Sequence, residues 1–163
     1  MKKVAIQFCF ILFLYIIVGC TDRADSTKQV RKSELKNSDG SKEKWHWNNK
    51  QKQNESVGYA QVVKVGNTLY VSGIPTGDLS PKGITEVYRS LEKSLRAFGA
   101  TSKDIVKETL YTTDIETMKK YNGTRKEFYA GDFPAATWVQ VSRLYEPDAR
   151  LEVDLIAQLP VNE

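Results

Sequence analysis

The stretch "LEVDLIAQL", Leu151 to Leu159, alternates apolar and polar positions almost throughout. Successive side chains of a β-strand point to opposite sides. Leu151, Val153, Leu155, Ala157 and Leu159 therefore share one face, and Glu152, Asp154, Ile156 and Gln158 share the other. The first is a core face. The second carries two carboxylates, which points to solvent, a pocket or a subunit interface rather than a dry core. A sheet built around this strand needs helices on one side.

Upstream of it, "RLYEPDAR" (143–150) reads as a turn, and Pro134 opens a strand that runs to about Ser142. Within that strand, two alanines beside a large Trp138 in "DFPAATWVQV" (132–141) resemble a pocket wall. Met118, Tyr121, Arg125, Phe128 and Tyr129 recur at helical spacing. These mark a single helix of about four turns, which Gly123 weakens locally by roughly 1 kcal/mol relative to alanine. "DIVKETLYTTD" (104–114) is a β-branched strand. Ile84, Val87, Tyr88, Leu91, Leu95 and Phe98 mark the other helix, with Gly99 as its stop. "IPTGDLSPKG" (74–83) reads as turn chemistry. "GYAQVVKVGNTLYVSG" (58–73) predicts a β-hairpin around Gly66-Asn67. The order β-β-α-β-α-β-β predicts an α+β fold with two helices on one face of a sheet.

The first 20 of the 163 residues form a different kind of segment. Lys2 and Lys3 precede an apolar run from Val4 to Val18, the pattern of a secretory leader. The run ends in Ile17-Val18-Gly19-Cys20, which resembles a bacterial lipobox, with Cys20 as the lipidation site; a buried cysteine in an uncleaved anchor helix is the other reading. Residues 21–44 are rich in Lys, Ser and Asp and read as a disordered tether, with the domain proper spanning 45–163. The expected location is outside the cytoplasm, on a membrane, held by a lipid anchor at about 0.8 kcal/mol per buried methylene. With Cys9 removed and Cys20 acylated, the domain would keep no thiol, and His46 alone builds no metal site.

Charge narrows the partners. The net +4 belongs to the leader and tether: from Tyr59 onward there are 13 basic and 14 acidic residues. A near-neutral body lacks the electrostatic footprint of nucleic-acid binding.

Four stretches in matching order, "GYAQVVKVGNTLYVSG", "GATSKDIVKETLYTTD", "YNGTRKEFY" and "FPAATWVQVSRL…LEVDLIAQL", resemble the RidA/YjgF family, also called the endoribonuclease L-PSP family. The resemblance spans about Val57 to Leu159. It implies a chorismate-mutase-like subunit, a homotrimer with a small-molecule pocket at each subunit interface, and hydrolysis of 2-imino or enamino acids without metal or organic cofactor. It further implies Glu152 as the carboxylate that orients or activates water. Tyr59, Ser72, Gly73 and Asn122 match pocket positions.

Three positions depart from the family pattern. Ile74 follows Ser72-Gly73 where glutamine is common, Ala136 stands where the deaminases carry a substrate-binding arginine, and Trp138 stands where Cys or Thr is common. Alanine offers no donor to a carboxylate, whereas arginine offers a bidentate fork. Arg125 and Arg150 read as solvent or interface residues. Two functions follow: an imine or enamine deaminase whose substrate stacks on Trp138, or a non-catalytic trimeric lipoprotein holding a small metabolite. Ribonuclease activity fits the neutral body poorly.

Overall fold

Gly66 and Asn67 form the two-residue link between β2 (Val62–Val65) and β3 (Thr68–Thr76), with Val65 opposite Thr68. Gly66 takes φ of +56°, the left-handed region that glycine enters without steric cost. In the computed structural model, residues 42–47, 53 and 57–160 are described. The leader with Cys20, and residues 21–41 of the expected tether, lie outside them.

The sheet has six strands in the order β1-β2-β3-β6-β4-β5. Besides the hairpin these are β1 (Lys42–Trp45), β4 (Ile105–Thr112), β5 (Ala135–Gln140) and β6 (Leu151–Gln158). Only β4 and β5 are parallel; the other neighbours are antiparallel. As the alternation of β6 predicts, Leu151, Val153, Leu155 and Ala157 are buried, while Glu152, Asp154 and Ile156 are partly open.

Helix α1 (Pro81–Arg96) starts at Ser80, whose hydroxyl accepts from the Gly83 N–H at 3.3 Å, and Pro81 occupies the first turn. It ends before Gly99, at φ +74°. Its apolar stripe, Ile84, Val87, Tyr88, Leu91 and Leu95, packs on the inner face of the sheet. Burying each such side chain contributes on the order of 1.5–3 kcal/mol.

Three elements differ from expectation. The second helix is two: α2 (Ile115–Lys120) and α3 (Asn122–Tyr129), broken at Tyr121 with φ −101° and ψ 19°. The adjoining Asn122 and Gly123 are weak helix formers, so the break costs little. β3 continues through Ile74–Thr76, part of the stretch expected as turn. The tether boundary also moves: Lys42–Lys44 belong to β1, paired with β2 from Lys42↔Val65 to Trp45↔Val62. Charged side chains along this outer strand discourage further edge pairing. Beyond it, Trp47 Nε1 donates to Gln61 Oε1 at 2.6 Å, and Trp45 and Trp47 meet edge to face at 5.1 Å. Among the described residues no helix is long and apolar enough to cross a membrane.

Candidate functional site

β3 and β6 lose register between Val71 and Ile74: Val71 faces Leu155 and Ile74 faces Val153. The extra residue makes a β-bulge, which re-aims side chains and is common beside active sites. Ser72 and Gly73 sit in it. The Ser72 N–H donates to the Gln61 carbonyl at 2.9 Å, and its hydroxyl donates to the Ala60 carbonyl at 2.8 Å. Ser72 thereby holds the segment that carries Tyr59. Tyr59 lies in the coil before β2, partly exposed, and its N–H donates to the Gln53 carbonyl at 3.0 Å.

Gly73 faces the Glu152 side chain directly. A Cβ at position 73 would lie 2.6 Å from Cγ and 2.7 Å from Cδ of Glu152, closer than real carbons approach, and would overlap Oε1. The bulge and the missing side chain together make the space that the carboxyl group occupies. Pro75 and Tyr111 flank Glu152 on the neighbouring strands. Partial burial raises the Glu152 pKa, and the charges of Asp154 and Glu146 raise it further. Burial also raises Asp154, against the hydrogen bonds of Thr109 and Tyr111. A carboxylate so placed holds its proton to higher pH than a solvated one and serves well as a general base.

Ala136 and Trp138 lie on the other side of the sheet. Ala136 is opposite Glu108 and Trp138 opposite Leu110, both on the inner, helix-facing side. Glu152 shares the outer side with Tyr111 and Val139. One chain therefore brings Ser72, Gly73 and Glu152 into one group, with Tyr59 next to the Ala60 that Ser72 holds, and leaves Ala136 and Trp138 in another. Asn122 opens α3, with its Oδ1 sealed from solvent and unpartnered among the described residues.

Around Ala136 and Trp138 the structure corrects the expectation for Arg125. Of the two readings, solvent or interface, the solvent one fails, because Arg125 is buried within its own chain: Nε donates to Glu108 Oε1 at 2.8 Å and Oε2 at 3.0 Å. The Tyr129 hydroxyl donates to Glu108 Oε2. The guanidinium carbon lies 4.8 Å from the Tyr129 ring centre, 5.6 Å from Trp138 and 5.8 Å from Phe133. Burial, then the Glu108 charge, pushes the Tyr129 phenol well above its ordinary pKa, so it stays a donor. Arg150 conforms to expectation, exposed and 3.4 Å from Asp114.

The signal for this cluster was present in sequence. Arg125 falls within the apolar stripe of its helix, and Glu108 has the same strand parity as Leu110 and Thr112. A charge on each of two core faces, seventeen residues apart, is a pair waiting to be matched.

The family model described as endoribonuclease L-PSP matches residues 50–159. A RutC family protein of Pyrococcus abyssi is 34% identical over 108 residues, covering 61% of this chain and 84% of the relative. A 2-iminobutanoate/2-iminopropanoate deaminase of Dermatophagoides farinae is 30% identical, covering 60% and 83%. A Mycobacterium tuberculosis protein of the YjgF/YER057c/UK114 family superposes with a TM-score of 0.65 at 23% identity, over 73% of this chain and all of that one. Its likeness concerns the fold. The chain belongs to the endoribonuclease L-PSP family, the RidA/YjgF proteins.

Proposed function

We propose that the protein is a hydrolytic deaminase of a small imine or enamine, with Glu152 positioning and activating water in a pocket completed between subunits. The observation that carries this reading is the Glu152 carboxyl, partly buried and set into the bulge at Ser72-Gly73. The name of the mite relative supports the reaction class. A shared pocket is supported by the two faces: the Glu152 group and the Ala136–Trp138 group can meet only if a second copy supplies one of them. The outer face also carries Tyr70, 48% exposed and opposite Ile156, and Val139, 37% exposed and in register with Tyr111, apolar positions suited to burial in a homotrimer. No step in this scheme calls on a metal or organic cofactor. Export on a lipid anchor at Cys20 belongs to the same proposal, tested by mass spectrometry of the mature N-terminus.

Ala136 favours a second reading, in which the trimer binds a small metabolite without turnover. The test is imine loss from 2-iminopropanoate generated beside the full chain in mild detergent. Saturable turnover, abolished in Glu152→Gln, supports the deaminase. Turnover equal in Glu152→Gln removes Glu152 from the chemistry, and ligand binding without turnover establishes the second reading.

A further inference from the structure

We infer that Arg125 of α3 is the anion anchor of this pocket, presenting the outer edge of its guanidinium to a planar carboxylate beside Ala136. The inference rests on the pocket proposed above but assigns a residue which that proposal does not use.

The guanidinium is fixed in place. Its Nε edge is committed to both oxygens of Glu108, and the rings of Tyr129, Trp138 and Phe133 stand around it at 4.8, 5.6 and 5.8 Å. A fork already held along one edge loses little freedom when the opposite edge binds an oxyanion. Among the described residues the well-formed hydrogen bonds of Arg125 run from Nε, and the buried Tyr88 hydroxyl lies close to the guanidinium without such a bond of its own. The two η nitrogens of Arg125 are left with donors to spare, although the side chain is nine-tenths buried. Neither η nitrogen is among the atoms sealed from solvent without a partner, so the remaining exposure of the side chain leaves them within reach of an anion.

The surroundings open outward. Ala136 is directly opposite Glu108 and is exposed, and Phe133 is 51% exposed. Glu108 offsets the charge of Arg125, so recognition depends on hydrogen-bond geometry and on the flat aromatic walls more than on net charge. That combination selects a carboxylate joined to flat, unsaturated carbon over a tetrahedral oxyanion or a carboxylate on a saturated ring.

Isothermal titration calorimetry of the full chain in mild detergent tests this with benzoate, cyclohexanecarboxylate and inorganic phosphate. Benzoate should bind more tightly than the other two. Arg125→Lys keeps a cation but loses the fork, and should weaken benzoate at least tenfold with an unchanged near-UV circular dichroism spectrum. If Arg125→Lys disturbs that spectrum, the paired Glu108→Gln/Arg125→Met variant, which removes both charges, should show the same loss. Benzoate binding that survives in the folded variant, or no benzoate binding by the wild type, overturns the inference. Survival of binding in Arg125→Lys, beside imine turnover that depends on Glu152, would discard the anchor and keep the deaminase. Arg125-dependent binding without turnover would do the reverse.

Discussion

Glu108 and Arg125 meet in the interior: the Glu108 side chain is fully buried, the Arg125 side chain is 8% exposed, and two hydrogen bonds of 2.8 and 3.0 Å join them. The Glu108 charge has no water to fall back on. Replacing Arg125 by Met alone should destabilise by about 3–5 kcal/mol, because a buried carboxylate is left unpaired. Glu108→Gln/Arg125→Met should recover most of that loss. Urea unfolding of the two variants decides the matter, and equal stability would mean that the pair is not coupled.

Gly73→Ala should separate stability from activity. The obstacle to the new Cβ is the Glu152 side chain, not backbone. The carboxyl can swing away while the strands stay in place. We expect a thermal midpoint lowered by no more than about 5 °C, the equivalent of roughly 1 kcal/mol. Imine turnover should fall at least tenfold. Full turnover in the alanine variant would show that Glu152 need not occupy that space.

The raised pKa of Glu152 gives a signed pH dependence. The folded chain holds the proton more tightly than the unfolded chain, so the stabilisation is complete below the ordinary carboxylate value, about 4.3. It is lost as pH rises through the higher folded value. Glu152→Gln removes this titration. Its thermal midpoint relative to wild type should be higher at neutral pH than at about pH 4. A difference that stays constant across the range would contradict a raised value. Asp154→Asn should behave in the same direction.

The apolar outer face predicts assembly. Val139→Asp places a charge on a side chain that lies in register with Tyr111, which is itself opposite Glu152. If this face is covered by other copies, the variant should shift from trimer to monomer in light scattering and lose imine turnover with it. An unchanged mass would place the subunit contacts elsewhere.

Local chemistry alone predicted much of the framework. The alternation of Leu151–Leu159, the Gly66-Asn67 turn and the stripe from Ile84 to Leu95 each follow from the residues in one short segment. Of the expected pocket residues, Ser72, Gly73 and Glu152 come together where β3 pairs with β6, and Ser72 also holds the Ala60 carbonyl next to Tyr59. Arg125 did not follow. Its role requires a partner seventeen residues earlier, and although parity puts both charges on core faces, only the packing of α3 on the sheet brings them together.

By itself the sequence determined the family, the order of most elements and the residues that supply the proposed chemistry, because periodicity and turn propensity act over a few residues. Tertiary structure decided the bulge that makes room for Glu152 and the division of Glu152 and Trp138 between opposite faces of the sheet. These depend on register between strands distant in the chain. A shift of one residue exchanges inside for outside at every position beyond it.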